Sequence, residues 1–407
     1  MANYSNTSRP AYVWDGVNNQ WVPVGVGPHT HSVADVANAV SNLGGSNIVN
    51  TTATTVPLTI TGASSQSADL LDVKNSAGTV VANIDANGSF SASNYFVAGK
   101  NKIINGDFGI WQRGTSFSST GYTADRFYLI AQNTCTLTQQ TFTPGTAPVA
   151  GYEGTYYAQY ARTSSSSDDY IIQRLENIRT FSGQTVTISF WAKADTATTI
   201  SQLYCGFNAG SGGSGAPSGV GNLSGISITT SWARYSTTFT MPSMSGVTIG
   251  TGSFVELTFK LAAAMGNRTI SLWGLQFEAG SVATPFTTAS NTLQGELALC
   301  QRYYNRIATG TNIPICNASV RTGSLAEGCI NFPTMRTTPT LDTVSGSGYY
   351  YFSAANNFTT FTNLNIDLAG ASSAFLYTSG ISGLTAGQGG YFYTNNSSAY
   401  LGFTAEL

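Results

Sequence analysis

The chain's two histidines, His29 and His31, stand two residues apart. In an extended segment such residues face the same way. If three copies met on an axis, six imidazoles would converge, a set suited to Fe, Ni, Zn or Cu. The alternative is a solvated pair, or one that caps the helix that follows. Asp168 and Asp169 are adjacent acids, but glycosidic hydrolysis needs two carboxyls a set distance apart. Their Ser-rich setting reads as a solvated turn. The run from Gly210 to Gly225 has no Lys and no Gly-Lys-Ser/Thr ending, so it is a flexible loop rather than a phosphate cradle. Cys135, Cys205, Cys300, Cys316 and Cys329 are widely spaced with no Cys-x-x-Cys and read as buried free thiols. With both histidines near one end, no Ser/His/Asp triad assembles near the other. Beyond Arg336 the acids are Asp342, Asp367 and Glu406. The expectation is a chain without enzyme activity.

Aromatic residues offer different chemistry. Charged residues are 9% of the 407, against roughly 25% in an ordinary soluble protein, while 12% are aromatic. A nearly neutral protein holds a neutral sugar by packing the pyranose face on a ring and meeting its hydroxyls with Asn, Gln, Ser or Thr. Trp191 projects opposite to the apolar residues of its strand and reads as exposed. Tyr349, Tyr350, Tyr351, Tyr391, Tyr393 and Tyr400 lie in a C-terminal stretch with no Lys or Arg after Arg336. Each is a candidate glycan contact. Each is otherwise a core ring or an interface residue with its hydroxyl satisfied.

The net charge of −2 excludes an electrostatic grip on nucleic acid. No apolar run reaches the roughly 18 residues of a membrane span, so membrane insertion is not expected. Met1-Ala2-Asn3-Tyr4-Ser5 lacks the regions of a signal peptide. Synthesis in a cytosol and release without the secretion pathway, as by lysis, would fit.

The elements that must position these residues are mostly strands. In 1–45, Tyr12-Val13-Trp14 and Gln20-Trp21-Val22 flank a turn and predict a hairpin. Ser32 with Asp35 predicts a capped helix start. Val33, Val36, Val40 and Leu43 then form a narrow a/d seam, suited to a few turns of coiled coil. Residues 46–100 carry short strands with turns at Asn75 to Gly78 and Asp85 to Gly88, a meander too small for a core of its own. Trimerisation would bury its faces. Residues 101–289 suffice for a β-sandwich. There Val186, Ile188 and Phe190, and Val255, Leu257, Phe259 and Leu261, alternate with other residues at strand period. Residues 290–407 open with a helix signal over 291–305, with Leu293, Leu297 and Tyr304 near one face, and continue β-rich.

Several stretches carry a resemblance. Asn101 to Gly114, Tyr122 to Phe127, Ile188 to Ala194, Ser231 to Tyr235, Leu275 to Phe286 and Glu296 to Tyr304 together resemble the carbohydrate-binding-module-like jelly roll of bacteriophage tail fibres. The match covers about residues 101–305. The segment near Pro57 to Ile60 and Asn75 to Asp85 is similar to fibre shafts more loosely. The resemblance implies a mainly β, elongated homotrimeric fibre. It would have a virion-attachment module in 1–45, a shaft in 46–100, a jelly roll in 101–289 and a receptor-binding tip in 290–407. It implies a virion protein, assembled in the host cytoplasm, that joins tail or baseplate proteins through its N-terminus and binds host surface polysaccharide. It also implies a metal threaded through rings of His29 and His31 on the trimer axis. A structural calcium near the first and last jelly-roll strands is a further implication, with Asp107 and Glu278 in the corresponding stretches. Against this stand two rivals: a tailspike depolymerase that cuts the glycan, and a purely structural spacer.

Overall fold

The computed structural model describes residues 12–15, 20–23, 60–88, 90–92, 98–149, 152–354 and 357–407. His29, His31 and the a/d seam lie outside them. The chain divides into two compact units, Met1–Ala92 and Ser93–Leu407.

In the first unit, β1 (Tyr12–Asp15) and β2 (Gln20–Pro23) pair antiparallel as the expected hairpin. β3 (Leu71–Lys74), β4 (Val80–Ile84) and β5 (Phe90–Ala92) form a three-stranded meander. Its first turn closes because Asn75 Oδ1 accepts from Ala77 N and Thr79 N, both at 3.0 Å. Asn and Asp favour such turns for this reason. Leu71, Val73, Val80 and Phe90 are all exposed on this small sheet.

The second unit opens with β6 (Ser116–Phe117), β7 (Gly121–Tyr122), β8 (Phe127–Ile130), β9 (Cys135–Thr141), β10 (Tyr156–Arg162) and β11 (Asp169–Glu176). Next come β12 (Thr185–Ala194), β13 (Thr198–Asn208), β14 (Val220–Ile228), β15 (Ala233–Thr240), β16 (Phe254–Leu261) and β17 (Thr269–Ala279). They form two antiparallel six-stranded sheets, ordered β15-β12-β17-β10-β9-β6 and β14-β13-β16-β11-β8-β7. Val186, Ile188 and Phe190 of β12 meet Val255, Leu257 and Phe259 of β16 in one buried cluster. Phe190 and Phe259 touch edge to face at 5.0 Å. The two-residue alternation read from the sequence is thus the inward face of each sheet.

A second apolar layer was not legible. The outer face of the β12–β17 sheet is covered by the β9–β10 connection and the segment after β17, which pack Phe142 and Phe286 onto Trp191 and Trp273. Trp191 is only 8% exposed, so its expected exposure is corrected. It does point away from the main core, but into this second layer. The β12–β17 register shifts between Ser189 and Trp191. Gly274, at φ 65°, leaves room for the indole, since a Cβ there would come 2.7 Å from Trp191.

Helix α1 (Leu293–Gln301) is shorter than the expected 291–305 and presents a different face. Thr292 caps it, accepting from Gly295 N at 3.0 Å. The buried positions are Glu296 and Cys300, while Leu293 and Leu297 are exposed. Glu296 is drawn inward by partners far away in sequence, which no local periodicity reports.

The remaining strands are β18 (Tyr304–Thr309), β19 (Pro314–Thr322), β20 (Leu325–Asn331), β21 (Thr340–Thr343), β22 (Tyr350–Ala354), β23 (Asn357–Phe361), β24 (Asn365–Ala369), β25 (Ser373–Ser379), β26 (Gly389–Thr394) and β27 (Tyr400–Thr404). They build a three-stranded sheet, β18-β27-β21, and a seven-stranded sheet, β23-β22-β26-β19-β20-β25-β24. Tyr350, Phe352, Leu376, Phe392 and Phe403 are among their core residues. Arg126, Arg113 and Glu406 tie this part to the sandwich. Arg126 bonds the Glu406 carboxylate and stacks 3.4 Å from the Tyr303 ring, and Arg113 lies 3.3 Å from Glu406 and 3.5 Å from the Tyr304 ring.

Candidate functional site

Two places in the second unit gather residues with chemistry. The first is a cavity of about 810 Å³ beside the second apolar layer. Its floor is the 105–110 loop. Asn105, at φ 60°, rigidifies that loop by donating to Ile110 O at 2.8 Å and to Asp125 O at 3.1 Å, and by accepting from Ile110 N at 2.9 Å. Gly106 runs so close to β17 that a Cβ would fall 2.2 Å from Leu275 O. These constraints present Asp107 to the cavity.

Asp107 accepts from the Tyr152 hydroxyl at 3.0 Å and from Gly109 N at 3.2 Å. It keeps some accessible surface. Burial pushes its carboxyl above the usual carboxylate range, and those two bonds oppose the shift. Glu296, from α1, is likewise raised by burial, with Asp107's charge pushing the same way. Its carboxylate accepts from Asn105 N at 2.5 Å and from Ser290 N and Oγ at 3.0 Å. Tyr152 packs edge-on against Trp273 and Phe286, and burial, then Asp107, raises its hydroxyl. Glu153 lines the cavity from an exposed position, accepting from Gly145 N at 2.7 Å. Thr287 also lines it, 2% exposed, its Oγ1 without a partner among the described residues.

The second place is the open face of the seven-stranded sheet. Alternation turns Phe352 and Phe392 inward and leaves Tyr351, Tyr391 and Tyr393 on the other side. Register sets Tyr351 beside Tyr393, and Ser353 between Phe358 and Tyr391. Ring centroids lie 5.2 Å apart for Tyr351 and Tyr393, 5.3 Å for Tyr391 and Tyr393, and 6.5 Å for Tyr351 and Phe358. Tyr391 and Phe358 are 46% and 61% exposed. Exposed Asn317 and Ser319 on β19 continue the face with amide and hydroxyl groups.

The other tyrosines named from sequence do not join this row. Tyr350 is a core residue whose hydroxyl donates to Tyr400 O at 2.6 Å. Tyr349 packs on the core, half-buried. Tyr400 is half-buried under the Arg306 guanidinium, 4.0 Å away. Six aromatic positions close in sequence could not all face outward, because a strand sends neighbours to opposite sides.

Asp107 and Glu278 bond different partners. Glu278 accepts from Gln276 Nε2 and from Thr284 N and Oγ1, with Lys100 at 3.8 Å, while Asp107 faces Tyr152. No group of three or more His, Cys, Asp or Glu side chains that could hold a metal occurs among the described residues. The expected solvated turn at Asp168 and Asp169 is also corrected. Asp168 pairs with Lys260, and Asp169 is fully buried against Arg162, Tyr160 and Asn133. All five cysteines are free, but Cys329 is exposed and Cys316 partly so.

No family model matches the chain, and no curated protein matches it. Solved structures similar to it include the enzymatically active domain of tailspike protein 4 from bacteriophage CBA120, at 14% identity and TM-score 0.29, covering 44% of this chain. The chain spans 22% of that domain. The CBM22-1 xylan-binding domain from Paenibacillus barcinonensis is similar at 13% identity and TM-score 0.26, over 43% of this chain and 97% of that one. A cyclase from Fischerella sp. TAU is similar at 11% identity and TM-score 0.31, over 45% of this chain and 98% of that one. The expectation of a chain without enzyme activity is corrected on the cavity's carboxyls. That expectation weighed histidine and acids adjacent in sequence, whereas folding collects Asp107, Glu153 and Glu296 around one cavity.

Proposed function

We propose that the chain is a virion attachment protein of the tail-fibre or tailspike kind, three copies assembling to hold a host-surface polysaccharide. The observation that carries this is the row of Phe358, Tyr351, Tyr393 and Tyr391, its two ends exposed and its middle half-buried, beside Asn317 and Ser319. Rings give the apolar faces of sugars a platform, and neutral amides and hydroxyls meet their hydroxyl groups without charge. An array of purified bacterial lipopolysaccharides and capsular polysaccharides tests it. The chain is expected to bind at least one of them, and the Tyr391→Ala/Tyr393→Ala variant to bind that one at least about tenfold more weakly. No binding anywhere on the array ends the proposal, as does an undiminished variant. The mass of the particle in solution checks the assembly.

A second reading is that the chain also cuts the polysaccharide it holds. It is favoured by one observation, the cavity lined by Asp107, Glu153 and Glu296 in unlike surroundings. Release of new reducing ends from an array polysaccharide supports it, and unchanged chain length in every one of them sinks it.

A further inference from the structure

We propose that Asp107 is the proton donor, and Glu153 the partner carboxylate, of a glycosidic-bond hydrolysis carried out in the cavity between residues 105–110, 152–156 and 286–296. This rests on the reading that the chain cuts a polysaccharide, and it names the groups that do so.

The cavity, at about 810 Å³, is the size of a ligand pocket, which runs roughly 300–1,000 Å³. Tyr152, Tyr156 and Phe286 supply aromatic lining. Of its three carboxyls, Glu296 is committed to structure, with both oxygens bonded to Asn105 and Ser290. Asp107 differs. It is deep-set, retains accessible surface, and burial favours its protonated form. The lining contains no Lys, Arg or His, and its other titratable groups are Tyr152, Tyr156, Glu153 and Glu296. No cation lines the cavity to draw the proton off Asp107. Glu153 is exposed, and its carboxylate accepts from Gly145 N. An acid that burial pushes toward its protonated form, sharing a cavity with one left solvated, is the division of labour that acid–base cleavage of an acetal requires. Thr287, another lining residue, carries a buried Oγ1 with no partner among the described residues.

The step balances. The Asp107 proton passes to the bridging oxygen, and the bond from that oxygen to the anomeric carbon breaks, its electron pair leaving with the oxygen. A water oxygen forms the new bond to the anomeric carbon, and the water's proton goes to the Glu153 carboxylate. Exchange with solvent restores both groups.

The full chain, Asp107→Asn and Glu153→Gln are each incubated with every polysaccharide of the array, and new reducing ends and binding are measured side by side. The wild type is expected to release ends at a rate that falls as pH rises through the raised Asp107 value. Each variant should lose at least roughly 100-fold in that rate while binding the same polysaccharides equally well. Glu153 is exposed, so its variant tests the assignment even if Asp107→Asn disturbs the fold. Release by the wild type that neither variant diminishes overturns the assignment and leaves the cutting itself standing. No release by the wild type overturns both.

Discussion

Asp107 is a residue whose setting has a consequence for stability as well as chemistry. Burial raises its pKa above the unfolded value of 3.8, so the folded chain holds that proton more tightly than the unfolded chain. The associated stability is fully present below the unfolded value and is lost as pH rises through the raised folded value. Asp107→Asn removes that loss and keeps an oxygen for the Tyr152 hydroxyl. The variant should therefore gain stability relative to wild type on going from about pH 4 to about pH 7, read from urea midpoints. A difference between the two chains that does not change with pH would show that Asp107 is not held as argued. None of this was legible in the sequence. Asp107 stood out there only as a candidate calcium ligand, because its neighbours Tyr152 and Glu296 are brought to it by folding.

Among the elements, strands were legible and layers were not. The alternation in β12 and β16 follows from one face being buried, so it reports the core directly. It cannot report that a connecting segment then covers the other face, which is why Trp191 reads from sequence as a surface ring. The tyrosines show the same limit in milder form. Tyr351, Tyr391 and Tyr393 share a face only because β22 and β26 are paired in the register that sets Tyr351 against Tyr393. The helix was found in place, but its buried side is set by Glu296 reaching Asn105, 191 residues away. The junction of the sandwich with the C-terminal sheets is equally non-local. Arg126 and Glu406 are both buried there, with side chains 1% and 5% exposed. Removing one partner of a buried pair strands the other charge, at a cost of about 3–5 kcal/mol. Glu406→Gln should lower the melting temperature accordingly, or split the transition in two as the sandwich and the C-terminal sheets part. A melting curve that matches the wild type would mean that Arg113, Tyr303 and Tyr304 hold the junction without it.

At the scale of the whole molecule, the proposed polysaccharide recognition uses a row of rings on an open sheet, and the proposed cleavage uses a separate cavity. A flat face suits a long, neutral, repeating chain that is gripped over several sugars, whereas a cavity suits one bond at a time. The small meander of the first unit, with Leu71, Val73 and Phe90 exposed, fits the proposed assembly of three copies, which would cover those side chains. The proposed seat of the glycan is the Tyr351–Tyr391–Tyr393 row. The most direct measurement is a crystal structure of the full chain with an oligosaccharide of one or two repeats from an array polysaccharide that it binds. Sugar rings are expected to stack on Tyr391 and Tyr393, with Asn317 in hydrogen-bond reach. Sugar found elsewhere, with that row bare, would contradict it.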